Sequence, residues 1–156
     1  MFNSESSGEK EKVFRGAITI FYKSENENLK YLVVENTKTG NISFVSGAQE
    51  EADQSLEDAA QREIKEELGL EPDGYQLIET DVKHEFVFGP KKLKRAGHKG
   101  AYQVFIADAS ALEEIGHTEE LSSMKWMTEE KVLMSLTFQD LKEVFEKAVK
   151  EIKSIK

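Results

Sequence analysis

A chain of 156 residues is the size of one ordinary domain, and 38% hydrophobic with 33% charged residues suits a water-exposed globule with a proper core. No apolar run approaches the roughly 20 residues of a spanning helix, the start "MFNSESSGEKEK" lacks a signal peptide's apolar stretch, and the absence of cysteine excludes disulfides, thiolate metal sites and a cysteine nucleophile. A net charge of -9 argues against binding nucleic-acid polymers, and the whole fits a reducing cytoplasm away from membranes.

Residues 1–12 are polar and charged and read as a flexible leader. From 13 to 156 there is no repeat and no linker, so the expectation is one domain. "VFRGAITIFY" (Val13–Tyr22) alternates as a strand with Ile18, Ile20 and Tyr22 on one face. The turn "SENEN" leads to a strand over Leu29–Asn36, and "TKTGN" leads to a short one over Ile42–Val45. An irregular polar loop, Ser46–Gln54, precedes a helix predicted over Leu56–Leu68. Ser55 is placed as its N-cap, Asp58 at the third position and Gly69 as the C′ residue. "EPDG" is a turn, and two extended stretches, Tyr75–Phe88 and Lys99–Asp108, flank the basic loop "GPKKLKRAGHK". Ser122–Met127 reads as a strand. Thr128 and Thr137 are expected to cap two C-terminal helices, the second with Phe138, Leu141, Phe145, Ala148 and Ile152 at helical spacing. The fold class expected is α/β (α+β), a mixed sheet packed by helices.

"REIKEELGL" (Arg62–Leu70) crowds Glu63, Glu66 and Glu67 into an arc of about 100° on the central helix. Like charges at i,i+3 and i,i+4 repel, and the helix dipole disfavours anions near the C-terminus. Leu56, Ala59 and Ala60 project onto the same side, so the acids continue a face that starts apolar. Three half-solvated carboxylates raise one another's pKa or demand a cation, and hard ions such as Mg²⁺ take carboxylate oxygens together with substrate phosphates. Spacing alone equally allows a solvated charge run with Arg62 and Lys65 as partial counterions.

Ser46–Leu70 resembles the Nudix box, Gly-x5-Glu-x7-Arg-Glu-U-x-Glu-Glu-x-Gly-U with U a bulky aliphatic residue. The second half matches at every fixed position: Arg62, Glu63, Ile64, Glu66, Glu67, Gly69 and Leu70. In the first half, counting back from Arg62, the Gly position holds Ala48, with Gly47 one residue early, and the Glu position holds Gln54. The resemblance implies a Nudix-like α/β/α sandwich and a Mg²⁺- or Mn²⁺-dependent hydrolase of nucleoside diphosphates linked to a further moiety. It makes Glu63 and Glu67 metal ligands, Glu66 a ligand or the base for the attacking water, and Arg62 the residue that orients the catalytic carboxylates. Main-chain carbonyls near Gly47 and Ala48 would complete the metal shell. Ala48 matters if that position needs φ > 0, a bend that Gly47 would then absorb. Gln54 removes a peripheral charge that in the family supports the loop and helix. The loop before a tryptophan-containing strand often supplies a further glutamate, which points to Glu120 of the Glu119–Glu120 pair; a solvated loop pair is the plainer alternative.

"KKLKRAGHK" gathers Lys91, Lys92, Lys94, Arg95 and Lys99 in an acidic protein. It reads either as a solubilising hairpin tip or, taken as a cluster, as a cradle for substrate phosphates, with Lys92, Lys94, Arg95 and Lys99 as candidates. Phe86, Phe88 and Tyr102 flank it and serve either as core residues or, in Phe86 and Tyr102, as stacking partners for a base. His84, His98 and His117 show no ligand spacing. The expected substrate is a small nucleotide: a nucleoside triphosphate, a dinucleoside polyphosphate such as diadenosine tetraphosphate, or a nucleoside-diphosphate sugar. The competing expectations are a nucleotide-binding module of the same fold with little hydrolysis and a domain whose acidic helix is only a solvated face.

Overall fold

Strand β1 (Val13–Glu25) buries both of its faces from Ala17 to Tyr22, because it lies inside the sheet rather than on it. The computed structural model describes residues 13–90, 94–112 and 114–155, so the expected leader lies outside the described residues. β1 pairs in parallel with β6 (Lys99–Asp108) along Val13–Tyr22, and parallel strands need cover on both faces. Ile18, Ile20 and Tyr22 do share one face, as their alternation implied, while Ala17 and Phe21 fill the other. The turn to β2 (Asn28–Asn36) puts Asn26 and Glu27 at φ 53° and 68°, the hand that suits a two-residue hairpin.

Among the described residues seven strands form one mixed sheet, in the order β3 (Ile42–Ser43), β2, β1, β6, β5 (Ile78–Val87). β4 (Val45–Ala48) pairs with β1, and β7 (Leu121–Met127) pairs with β2. Helix α1 (Leu56–Leu68) covers one face through Ala59, Ala60, Ile64 and Leu68, with Ala17, Phe21 and Phe105 beneath it. Helices α2 (Glu129–Ser135) and α3 (Gln139–Ser154) cover the other, led by Val132, Leu141, Phe145, Ala148 and Ile152. The result is a helix–sheet–helix sandwich. Burying Ile64 and Leu68 contributes about 1.5–3 kcal/mol each to holding α1 on the sheet.

Helix α1 spans the residues its pattern indicated, and each end has its cap. Ser55 Oγ accepts from the Asp58 N–H at 3.1 Å, and Gly69 closes the helix at φ 73°. The return bond of the box is displaced by one residue, since Asp58 accepts from the Gln54 N–H at 3.0 Å instead of from Ser55.

Three local expectations are corrected, and one ladder is irregular. The start of the supposed loop after Val45 is strand: Ser46, Gly47 and Ala48 pair with Ile18, Ala17 and Gly16, a ladder imposed by β1 that their own small side chains do not announce. The expected strand over Tyr75–Phe88 begins only at Ile78, after a 3₁₀ turn over Pro72–Gly74, with Tyr75 turned onto Phe21 at 5.7 Å. The ladder between β5 and β6 is interrupted between Glu79 and Lys83, where buried Gln103 Nε2 donates to the Thr80 carbonyl at 2.6 Å. Thr137 does not cap the last helix; its hydroxyl accepts from the Ile42 N–H at 2.7 Å, and the helix starts after Phe138 without a side-chain cap.

Candidate active site

The acidic end of α1 is not splayed into solvent. Glu67 is buried at 8% exposure, and the Glu63 side chain is at 13%, while Glu66 keeps 42%. Burial pushes the Glu67 carboxyl up to about 9, and the charges of Glu63, Glu120 and Glu66 add to the rise. Burial also raises Glu63, with Glu66 reinforcing it and the Glu67 hydrogen bond and Arg62 pulling the other way. Without a metal, burial among like charges thus favours the protonated form of Glu67, which is hydrogen-bonded to Glu63 one turn away.

The loop carrying Glu119 and Glu120 is tied down from two sides. Thr118 donates its N–H to the Glu67 carbonyl at 2.8 Å and its hydroxyl to the Glu66 carbonyl at 2.6 Å, so two of the open carbonyls at the helix end are satisfied. From the β2–β3 turn, the Thr37 N–H donates to the Glu120 carbonyl at 3.0 Å and its hydroxyl to the Glu119 carbonyl at 2.9 Å. This anchoring sets the exposed Glu120 carboxylate where its charge acts on Glu67.

On the strand side, Gly47 lies so close to Glu63 that a β-carbon there would overlap the Glu63 carboxylate. At Gly16, across the ladder, an added β-carbon would lie 2.5 Å from the Gly47 carbonyl oxygen and 2.7 Å from the Tyr102 ring. Two glycines thus let the Glu63 carboxylate and the Tyr102 ring close on the β1–β4 ladder. Neither Gly47 nor Ala48 adopts positive φ; Ala48 sits in extended β4 opposite Gly16, so the bend that would have disfavoured an alanine is not there. The Ala48 carbonyl, expected as a metal-shell donor, accepts from Arg62 Nη2 at 2.8 Å and keeps one lone pair.

Arg62 is the hub. Its Nη1 donates to Glu63 at 3.0 Å and to both oxygens of Glu66 at 3.4 Å, and pairs with Glu50 at 3.3 Å. Its Nε and Nη2 go to Asp53, nine positions earlier in the loop before the helix and not among the expected site residues. These bonds hold the Asp53 carboxyl below the usual carboxylate range and raise Arg62 above its already high value.

The substrate-side candidates fall into two groups. Arg95 stands over the rings of Phe14 and Phe88, 5.3 and 5.6 Å from their centroids, which places its guanidinium at the end of the sheet where β1 begins and β5 ends. Tyr102 is buried, and burial raises its hydroxyl; Glu63 pushes it the same way and Arg95 pulls it down. Tyr102 thus sits electrostatically between the acidic helix and Arg95. Phe86 is half-buried, edge-on to Tyr102 at 5.2 Å and stacked on His84 at 4.7 Å, and His84 reaches Asp140 of α3 at 2.9 Å. Lys94 and Lys99 are exposed. Lys92 and Lys91 lie outside the described residues.

The donor set suits a hard divalent ion. It consists of carboxylate oxygens, one of them buried among like charges and protonated where a cation would replace the proton. Among the described residues no three carboxyl or imidazole groups stand converged as a closed ligand set. The Glu63 and Glu66 carboxylates are drawn towards Arg62.

A mixed sheet between helices, with an Arg-Glu-x-x-Glu-Glu segment at a helix end and its last glutamate buried, defines a hydrolase of the Nudix type. The chain belongs to this family: the NUDIX domain profile matches residues 13–148. Among solved structures, it is similar to a C. elegans Ap4A hydrolase in a binary complex, with TM-score 0.74 and 15% identity, covering 90% of this chain and 98% of that one. It is also similar to the E. coli dihydroneopterin triphosphate pyrophosphohydrolase, with TM-score 0.72 and 19% identity over 87% and 97% of the two chains. The NUDIX domain of Shewanella oneidensis NrtR, complexed with ADP ribose, gives TM-score 0.68 and 16% identity over 96% and 99%. At such identities the likeness carries the fold alone. No curated protein matches the sequence. No helix among the described residues is long and apolar enough to cross a membrane.

Proposed function

We propose that this chain is a divalent-metal-dependent, cytoplasmic pyrophosphohydrolase cleaving a phosphoanhydride bond of a small nucleotide, either a nucleoside triphosphate or a dinucleoside polyphosphate such as diadenosine tetraphosphate. The observation that carries this reading is Glu67, a buried carboxyl held near the charges of Glu63, Glu66 and Glu120. Such a group is costly for folding unless a cation belongs beside it. The structural neighbours named for Ap4A and for dihydroneopterin triphosphate support a polyphosphate substrate.

In this reading Glu63 and Glu67, with a main-chain carbonyl at Gly47 or Ala48, hold Mg²⁺ or Mn²⁺. The ion supplies the charge neutralisation and Lewis acidity that a self-shielded pyrophosphate link needs. Glu66, the most open of the three acids, takes the proton of the attacking water. Arg62 keeps Glu63 and Glu66 in place from behind. Glu120 adds negative charge that strengthens cation binding. Arg95 and the Tyr102 hydroxyl receive the phosphates beyond the cleaved bond, Lys94 and Lys99 add positive charge around them, and Phe86 offers its ring to the base.

A panel of nucleoside triphosphates, dinucleoside polyphosphates and nucleoside-diphosphate sugars, run with Mg²⁺ and Mn²⁺ and resolved by chromatography, tests the proposal. Rapid metal-dependent cleavage of a polyphosphate supports it. Micromolar nucleotide binding with negligible turnover across the panel would replace it with a binding module. The neighbour holding ADP ribose keeps the nucleoside-diphosphate sugars in the panel.

A further inference from the structure

The first half of the signature looks broken when it is counted back from Arg62, because Ala48 and Gln54 occupy its Gly and Glu positions. One residue earlier the same spacing is intact with an aspartate for the glutamate: Gly47, five residues, Asp53. The connection from Asp53 to Arg62 is then one residue longer than the signature allows.

The geometry follows the displaced set. Gly47, not position 48, is where a β-carbon would overlap the Glu63 carboxylate. Gln54 is exposed, and its backbone N–H goes to Asp58 at 3.0 Å. The Asp53 side chain is 7% exposed. It receives Arg62 Nε on both oxygens at 3.2 Å and Arg62 Nη2 at 2.9 Å, the two-pronged approach that fixes a guanidinium plane. Asp53 is itself locked: the Glu50 N–H donates to its carboxylate at 2.8 Å, its own N–H donates to the Glu50 carbonyl at 2.9 Å, and Gln49 Nε2 donates to its carbonyl at 3.2 Å.

We propose that Asp53 is the positioning residue of this site, taking at position 53 the place of the acid that the signature puts at 54. By taking Nε and one Nη2 hydrogen of Arg62, with the Ala48 carbonyl on the other, it leaves only Nη1 for Glu63 and Glu66. Without Asp53, two freed donors turn to the nearest carboxylates and compete with a cation for them. The inference rests on the hydrolase reading for its effect on turnover, but not for its effect on ion binding.

The test uses the full chain with Asp53→Asn, which keeps the shape and removes the charge, and Gln54→Ala as the control. Mn²⁺ affinity is read by electron paramagnetic resonance, and the Arg62 Nε–H signal by ¹⁵N NMR in metal-free protein. Asp53→Asn is expected to weaken Mn²⁺ binding by about tenfold or more, to speed exchange of the Arg62 Nε–H, and to lower kcat while leaving KM near the parent value. Gln54→Ala is expected to change neither affinity nor exchange by more than about twofold. Unchanged Mn²⁺ affinity in a folded Asp53→Asn variant, or an equal loss in Gln54→Ala, overturns the proposal. Should Asp53→Asn fail to fold, the parent protein decides: a slowly exchanging Arg62 Nε–H supports the anchor and a rapidly exchanging one overturns it. A chain that binds Mn²⁺ and cleaves no nucleotide removes the hydrolase reading and leaves the role of Asp53 standing.

Discussion

Thr118 donates its N–H to the carbonyl of Glu67 at 2.8 Å, tying the loop of Glu119 and Glu120 to the end of the acidic helix. The same residue's hydroxyl reaches Glu66 at 2.6 Å. Thr118→Val keeps the first bond and removes the second. It is expected to cost about 1 kcal/mol of stability, seen in thermal unfolding, and to reduce kcat severalfold as Glu120 drifts from Glu67. Full activity in a variant destabilised to that extent would show that Glu120 needs no such anchoring.

The raised Glu67 carboxyl has a consequence for stability in the metal-free protein. Its folded value is about 9, against an ordinary value of 4.5 in the unfolded chain. Between these values the native state holds a proton that the unfolded state has released, so stability falls as pH rises. The loss begins above the unfolded value and is complete once pH passes the folded one. Thermal unfolding with chelator from pH 5 to 9 should show this decline, and Glu67→Gln should flatten it. Parallel curves for the two proteins would contradict the burial of that carboxyl among like charges.

How much of this was legible beforehand depended on whether the information is local. Helix α1 declared itself through apolar spacing at Leu56, Ala59, Ala60 and Ile64, a serine cap and a closing glycine, and β6 through a continuous apolar run. Local signals failed at Ser46–Ala48, where small residues form a strand only because β1 supplies the partners. They failed again at Asp53, whose importance is its distance to Arg62 across a loop, and at Thr137, whose hydroxyl serves Ile42 from across the sheet's edge. The crowding of Glu63, Glu66 and Glu67 was plain in the sequence; that Glu67 is the buried one was not, because burial is set by packing from elsewhere in the chain.

Gly47→Ala separates close approach from backbone freedom. Because Gly47 is extended, an alanine suits its backbone, and the damage arises from overlap with the Glu63 carboxylate. Displacing Glu63 should cut divalent-ion affinity by about tenfold or more while the far-ultraviolet circular dichroism stays native. Gly16→Ala meets the Gly47 carbonyl as well as the Tyr102 ring and should lower stability by about 1–3 kcal/mol. Normal ion affinity in Gly47→Ala would mean that Glu63 adjusts freely.

The Arg95 side of the site should express itself in substrate affinity. Arg95→Ala removes a guanidinium held over Phe14 and Phe88. It is expected to raise KM for a nucleoside polyphosphate by about tenfold, the loss of one charge-assisted contact, with a smaller change in kcat. Tyr102→Phe should raise KM in the same direction and by less. An unchanged KM in both variants would remove this end of the sheet from the substrate path.

Calorimetric titration of Mn²⁺ into the parent chain and Glu67→Gln, with and without a non-hydrolysable nucleotide analogue, bears most directly on why acids are crowded at this helix end. The parent should bind the ion with release of protons, more tightly when the analogue is present, and Glu67→Gln should lose most of that affinity while remaining folded. Equal binding by both proteins, or none by either under all conditions, would mean that the buried carboxyl of Glu67 serves something other than a divalent ion.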